Sequence, residues 1–514
     1  MRRPRPGGQA IAILAVAGLP CLGLIPGAGS AQASVGSHRI ARAALVPSRA
    51  HGAPRISAPT IRHVPDAWEM QAVSCVSATH CVAVGYSSDT STEGAHGVLV
   101  PITDGKPGKP LLLGGFESLF YGISCVSATD CVVAGAAQAT VSSNLGADLW
   151  RWHSGKVVFI NQLGSTPTLS TSRFYAIDCW SSTECLAVGY GNAKITDAPT
   201  GVYGSVSLKG TPSDHVVQNN TSGYASSITC PTSELCYIGG ASVAGVGEEL
   251  EVTQPDLVKH LTSGIEGSTQ TGKVSGLQGI ACMSVNSCEA AEVYDVPSMP
   301  GQFDGDLEHL NGKLSGTPHM IPDTSQFYAI SPINHSYYLA VGELTGSSWI
   351  TYLVSASGAA SNHSTSEGGY LQGVSCPVQT ECVAVGFAPD SNPTQPGGQG
   401  GVDGAIAVYH LTTPPSAPKV TVRSTTHHSA KVRISAPASD GGVAITSYLL
   451  TVSRCKPHHT KCTLEKVKTQ PVKPSKLTVT VSGLMPHTTY YLSVTATNSI
   501  GTGPASSAKT AKTG

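Results

Sequence analysis

Val73-Ser74-Cys75-Val76-Ser77-Ala78-Thr79-His80-Cys81-Val82-Ala83-Val84-Gly85 returns six more times along the chain. The copies start at Ile123, Ile177, Ile228, Ile280, Ile330 and Val374. Each reads a β-branched residue, one residue, Cys, five residues, Cys, then a short apolar run ending near a Gly. The first-cysteine positions are 75, 125, 179, 230, 282, 332 and 376, in steps of 50, 54, 51, 52, 50 and 44 residues. A period in this range marks a repeat architecture.

The sixth copy tells how the cysteines are used. Its first Cys position is Pro332 and its second is Tyr338, while Ile330 and Leu339-Ala340-Val341-Gly342 remain. Unrelated thiols have no reason to vanish together; two halves of one bridge do. The expected pairs are Cys75–Cys81, Cys125–Cys131, Cys179–Cys185, Cys230–Cys236, Cys282–Cys288 and Cys376–Cys382. Metal ligation is the alternative, but zinc sites use tighter C-x(2–4)-C spacing and a second pair or His. No metal and no cofactor is expected.

Charged residues make up 12% and aromatics 6% of the 514 residues, with 57 Gly and 34 Pro. That composition suits short strands joined by turns. Fifteen cysteines, twelve in regular pairs, point to an oxidising compartment. The first residues agree: basic Arg2, Arg3 and Arg5, an apolar run from Ala10 to Leu24, and a small-x-small site at Ala31-Gln32-Ala33. Residues 1–33 therefore read as a secretory signal peptide. No later stretch reaches the ~18 apolar residues of a spanning helix. Residues 66–412 hold 10 Lys+Arg against 30 Asp+Glu, whereas residues 413–514 hold 13 against 2. Such segregation separates two domains with different surfaces.

Residues 34–59 are Ser, Ala, Pro, Arg and Gly without a period and read as a disordered linker. Residues 60–412 hold the repeats. After each Gly come a variable polar loop and a third strand candidate, such as Gly97–Ile102, Leu149–Trp152, Val202–Val206 or Ala405–Tyr409. A fourth apolar stretch follows, as at Leu111–Leu113 and Val157–Ile160. Four short strands in about 50 residues, seven times over, resemble a seven-bladed β-propeller. The signature is similar to that of secreted actinobacterial propellers. The seventh copy stops after its third strand, at Pro414-Pro415, and Ile61-Arg62-His63-Val64 is spare to supply the fourth. Small residues stand three before each first Cys position (Ala72, Gly122, Ala176, Ser227, Gly279, Ala329, Gly373), where innermost strands crowd.

Residues 413–514 resemble a fibronectin type III domain, an all-β sandwich. Gly483-Leu484-Met485-Pro486-His487-Thr488-Thr489-Tyr490 leads into Tyr491–Asn498, and Asp440-Gly441-Gly442 precedes Ile445–Val452. The resemblance places Tyr490 at the corner where a tyrosine bonds back to the backbone. Val432 or Ile434 stands where that family has a Trp. Cys455 and Cys462 flank a turn and are expected to pair.

No catalytic constellation appears. Asp178 is the one acid at the residue before a first Cys position and reads as a hydrogen-bonded wall or a catalytic carboxylate. Asp304-Gly305-Asp306 reads as a solvated loop, with calcium as the alternative. His427-His428 and His458-His459 read as exposed turn residues. Four before the first Cys position stand Gln71, Tyr121, Tyr175, Ser226, Gln278, Tyr328 and Gln372, every one able to hydrogen-bond. Beside them lie the variable loops Tyr86–Ala95, Ala136–Gly146, Tyr190–Thr200, Val293–Phe303 and Phe387–Asp403. Polar groups converging on one face among variable loops suit a small saccharide or peptide site. The alternative is that they bond only between repeats. The chain thus reads as a secreted, monomeric, non-enzymatic binding protein, extracellular or associated with the cell wall. Its expected partners are extracellular polysaccharide, cell-wall polymer or protein. The basic last domain reads as a spacer or surface-attachment module; it lacks the interleaved aromatics of single-strand binders, so no nucleic acid is expected. An extracellular polysaccharide hydrolase or lyase is the alternative and requires a carboxylate pair.

Overall fold

The computed structural model describes residues 54–88, 94–113, 117–138, 140, 144–162, 169–193, 199–208, 213–233, 235–242, 247–253, 266–267, 273–295, 303–310, 317–321, 324–334, 337–344, 348–355, 360–389, 402–455 and 463–514. Among them there is no helix. Each repeat opens on an antiparallel hairpin whose two strands carry the two cysteine positions, for example Glu69–Ser77 with His80–Ser88. The β-branched and apolar residues of the motif suit this pleated, half-buried surface. The register sets Cys75 opposite Cys81, Cys125 opposite Cys131, Cys179 opposite Cys185 and Cys282 opposite Cys288. All six expected bridges of the repeats are present, with Cα atoms 3.9–4.1 Å apart. In the sixth repeat Pro332 faces Tyr338 in the same register. Tyr338 is fully buried and its hydroxyl donates to the Ser287 carbonyl of the fifth repeat at 2.9 Å.

Third and fourth strands extend each hairpin, as in the sheet made by Ser118–Ser127, Asp130–Gln138, Leu145–His153 and Lys156–Gln162. Two departures stand out. The third and fourth repeats share a seven-stranded sheet, because Ser213–Thr232 runs unbroken through both. Its beginning pairs Pro199–Ser207 and its end pairs Leu235–Ser242. The triplet Asp304-Gly305-Asp306, read as a loop, lies inside the strand Phe303–Leu310, with Asp306 fully buried and its Oδ1 accepting from the Leu307 N–H at 2.7 Å. A ladder hydrogen-bonded on both sides leaves no room there for a calcium loop.

The seventh repeat takes its outer strand from far upstream. Thr60–Val64 pairs antiparallel with Val402–Thr412, running from Thr60 opposite Val408 to Val64 opposite Gly404. Pairing begins earlier than expected, inside the stretch read as linker: Arg55 and Ile56 face Thr412 and Leu411. Ser57 N–H also donates to the His410 carbonyl at 2.9 Å.

Successive repeats are joined by a recurring hydrogen bond. The residue before the first Cys accepts from the backbone N–H of the first Cys of the next repeat. Ser74 Oγ takes Cys125 N–H at 3.0 Å, Ser124 Oγ takes Cys179 N–H at 3.1 Å, and Ser331 Oγ takes Cys376 N–H at 3.1 Å. Asp178 Oδ2 takes Cys230 N–H at 2.7 Å, and Ser375 Oγ of the last repeat takes Cys75 N–H of the first at 3.1 Å. Between the fifth and sixth repeats donor and acceptor are lost together, since Ala281 has no acceptor and Pro332 no N–H. Asp178 is therefore a joint between repeats. Burial raises its pKa, and the Cys230 and Cys179 N–H groups and the Ser124 hydroxyl offset part of that rise. Asp178→Ala leaves a buried N–H without an acceptor and is expected to cost about 1–3 kcal/mol in urea unfolding. Asp178→Asn keeps a side-chain oxygen to accept from Cys230 N–H and should cost clearly less than Asp178→Ala. Similar effects of the two would contradict this role.

Between repeats the small residues do what crowding demands. A Cβ on Gly122, Gly279 or Gly373 would stand 2.9–3.0 Å from backbone atoms of Tyr175, Ala329 or Ala72 in the following repeat. Apolar clusters fill the rest, such as Val132, Leu149, Phe174, Ile177 and Val202.

Two buried carboxyls set a pH dependence. Asp148 is 1% exposed and neither of its oxygens has a hydrogen-bond partner among the described residues; burial lifts its pKa from 3.8 to about 8. Glu289 lies 2.9 Å from His309, and burial, then Glu308 and Asp306, lift its pKa from 4.5 to about 8. Both bind a proton more tightly folded than unfolded, so their contribution is complete below pH ~4 and fades as pH rises through about 8. Melting should thus be lower at pH 9 than at pH 6, and Asp148→Asn should shrink that difference. An unchanged pH slope in the variant would contradict this assignment.

The C-terminal residues form a sandwich of two sheets. One holds Lys419–Thr425, Ser429–Ser435 and Thr478–Ser482; the other holds Leu464–Val472, Ser447–Cys455, Thr489–Thr497 and Lys509–Lys512. Its core includes Val432, Ile434, Tyr448, Leu450, Tyr490 and Leu492. The corner tyrosine is in place: Met485 N–H donates to the Tyr490 hydroxyl oxygen at 2.9 Å. Cys455 is disulfide-bonded; Cys462, its expected partner, and His458-His459 lie outside the described residues.

Candidate functional site

Every first strand carries a register shift at one place. Pairing steps from Met70 to Ala72, Phe120 to Gly122, Phe174 to Ala176, Ala225 to Ser227, Leu277 to Gly279, Phe327 to Ala329 and Leu371 to Gly373. The skipped residue is Gln71, Tyr121, Tyr175, Ser226, Gln278, Tyr328 or Gln372. The seven positions singled out by sequence are thus seven β-bulges, a device that re-aims a side chain away from the ladder.

The bulge also accounts for the Gly that closes six of the seven motifs, the fifth having Glu292 at that place. It presses the carbonyl six residues before the first Cys onto the facing strand. A Cβ on Gly85 would run into the Glu69 carbonyl, and one on Gly189 into that of Arg173; Gly135, Gly240, Gly342 and Gly386 face Leu119, Tyr224, Gln326 and Tyr370 in the same way. The clash is with backbone, which has no rotamer to yield. Gly189→Ala is expected to cost about 1–3 kcal/mol and to displace Arg173. Wild-type melting in that variant would show that the bulge is soft.

The bulged residues meet their neighbours across repeats. Rings run from Trp68 to Tyr86 (6.3 Å between centroids), Tyr121 (6.4 Å), Tyr175 (5.2 Å) and Tyr190 (5.6 Å, stacked), covering the first three repeats. A second run links Tyr328 of the sixth repeat to Tyr370 (5.2 Å) and Phe387 (4.3 Å) of the seventh. Glu69 ties the two runs together. It is buried and accepts from the Tyr86 hydroxyl at 2.6 Å and from Gln372 Nε2 at 2.8 Å; Tyr370 and Gln71 also bond to it. Burial raises its pKa in spite of those donors. The phenols stay neutral: burial pushes Tyr121 up to about 12 and Tyr86, Tyr175 and Tyr328 well above their ordinary value. They act as neutral donors and acceptors.

Five of the expected residues, Gln71, Tyr121, Tyr175, Tyr328 and Gln372, therefore belong to one network. Ser226 instead donates to the Leu277 carbonyl of the next repeat, the purely structural alternative. Gln278 is half-buried, and no described contact joins it to the network. Much of the variable loops falls outside the described residues, namely 89–93, 141–143, 194–198, 296–302 and 390–401.

Glu69, Tyr86, Arg173, Tyr190, Glu343 and Tyr370 were not anticipated. They occupy two positions that the register pairs directly, six before the first Cys and one after the Gly. Residue type varies at both, so the repeat pattern did not mark them. Arg173 Nη1 donates to the Tyr121 hydroxyl oxygen at 3.3 Å. Tyr328 lies beside Gln326 and has its hydroxyl 3.4 Å from Glu343. Chemically, this is an aromatic and amide surface with two engaged carboxylates, Glu69 and Glu343, and one guanidinium.

Residues 413–512 match the fibronectin type III domain family. Among solved structures the chain is similar to the third fibronectin III domain of human KIAA0343 protein, at 27% identity over 19% of this chain and 82% of that one, with a TM-score of 0.17. It is also similar to the FN5 domain of Drosophila Lar, at 25% identity over 19% and 96%, with a TM-score of 0.16. No curated protein sequence matches the chain. The C-terminal sandwich is thus a fibronectin type III domain. The disulfides and this domain fit an extracellular protein, and no helix among the described residues is long and apolar enough to cross a membrane.

Proposed function

We propose that this chain is a secreted, monomeric, non-enzymatic binding protein. Its seven repeats form a seven-bladed β-propeller that recognises extracellular carbohydrate or protein, and its type III domain serves as spacer or surface attachment. The single observation that carries the reading is the bulge repeated at the same place in all seven first strands. Evolving one such bulge is local; keeping seven, with phenols and amides at five of them in contact, builds a surface. The propeller itself is supported by the Cys75–Ser375 hydrogen bond, which joins last repeat to first, and by the N-terminal strand that completes the seventh sheet. Full closure removes exposed strand edges. Secretion is supported by the six bridges and the leader-like first 33 residues.

Glu69 and Asp178 are each engaged by several donors, which fixes a carboxylate in place rather than freeing it to move protons. The binding reading is tested by screening residues 34–514 against arrays of plant and wall polysaccharides and of secreted proteins. Binding without turnover supports it; release of shortened sugar would replace it with the hydrolase or lyase.

A further inference from the structure

Residues 66–412 contain two arginines, Arg151 and Arg173. Arg151 is paired twice with Asp130, at 2.7 Å and 2.5 Å. Arg173 has no carboxylate partner among the described residues. It is half-buried and touches Tyr121, with Tyr175 and Tyr190 beside it. The nearby acids on the inner strands are spoken for, Glu69 by Tyr86 and Gln372 and Asp178 by Cys230. Burial pulls the guanidinium down, and the three phenols more than offset this, so it stays charged. A partly buried charge without a counter-charge is costly unless something pairs with it. Tyr121 accepts from Arg173 through its hydroxyl oxygen, which leaves its own O–H as a second donor beside the guanidinium.

We propose that Arg173, with Tyr121 at its side, is a carboxylate subsite and that the ligand is a saccharide carrying a single carboxylate, such as a uronic acid. This rests on the binding reading above and specifies its ligand. A guanidinium offers parallel N–H donors in the geometry a carboxylate accepts. The Tyr121, Tyr175 and Tyr190 rings supply flat faces for the sugar, as amphipathic aromatics do in polar sites. The number of charges follows from the surroundings: 30 acids against 10 bases in residues 66–412 repel a polyanion, while one carboxylate pays only a small long-range penalty and gains the local pair.

Calorimetric titration of residues 34–514 with digalacturonic acid esterified at one carboxyl, and with its fully methylated ester, tests this. The monoacid should bind about 10- to 100-fold more tightly than the neutral ester, as expected for a charge-assisted pair. Arg173→Gln should reduce the monoacid to the ester's affinity and leave the ester unchanged, with Arg173→Lys in between. Equal binding of acid and ester by the wild type, which needs no variant to fold, would overturn the subsite. So would binding of a carboxylate-bearing peptide but neither sugar. Tyr-dependent binding of a neutral oligosaccharide alone would overturn this inference and leave the recognition surface standing; no binding by any sugar or protein would remove both.

Discussion

Reduction of the six repeat bridges is expected to unfold residues 60–412 at room temperature. Each bridge closes a loop of Cys, five residues and Cys. Loop-closure entropy gives ~2–2.5 kcal/mol for a ring of that size. The bridges lie in separate hairpins, so their effects add to about 12–15 kcal/mol. Domains of this kind are stable by about 5–15 kcal/mol in total. Loss of cooperative melting in reductant, with the type III domain still melting on its own, is the expected trace. Mass mapping of the unreduced protein should return the same six pairs plus Cys455–Cys462. Free thiols at these positions, or a melting curve indifferent to reductant, would contradict the account. Replacing Cys125 and Cys131 by Ala removes one bridge alone and should lower the melting temperature by a few degrees.

Deleting residues 34–64 should be far more damaging than deleting 34–53. The longer deletion strips Thr60–Val64 and Arg55–Ile56 from the seventh sheet, together with the Ser57–His410 bonds. Roughly five ladder hydrogen bonds at about 1 kcal/mol each are lost. Val64, 2% exposed, adds about 2 kcal/mol of apolar burial. A loss near 7 kcal/mol shifts melting by about 10–15 °C in a domain of this size. The bared edge of Val402–Thr412 would also invite pairing between molecules, so the truncated protein should aggregate on concentration. The shorter deletion should melt within about 2 °C of the intact protein. Equal melting of the two would mean that the N-terminal strand completes nothing.

The cysteine pairs, the hairpins and the outer strand at Ile61–Val64 were legible because each leaves a mark in the residues themselves. A paired loss at Pro332 and Tyr338 identifies a bridge; a spare apolar strand beside an incomplete repeat identifies its place. The bulge leaves no such mark. It becomes visible only when pairing fixes that Phe120 and Gly122 are adjacent in register and Tyr121 is not. Everything the bulge couples was hidden with it, including Glu69, Arg173 and the clash that requires Gly at 189. The continuous strand Ser213–Thr232 was equally silent, since nothing between the third and fourth repeats announces that a turn is absent. Asp304-Gly305-Asp306 misled in the other direction: a Gly between two acids reads as a turn, and here the ladder on both sides overrode local preference. In the type III domain Tyr490 was found from its neighbours, because the corner is a local motif.

The central claim is that bulged tyrosines of different repeats form one recognition surface. Its most direct test is the affinity of the best array ligand for residues 34–514 and for the Tyr121→Phe, Tyr175→Phe and Tyr328→Phe variants, with melting temperature measured alongside. The rings and their packing survive these changes; only the hydroxyls go. At least one variant should lose about tenfold or more in affinity at nearly unchanged melting temperature. Unchanged affinity with lowered melting at all three positions would contradict the claim and leave these tyrosines as struts between repeats.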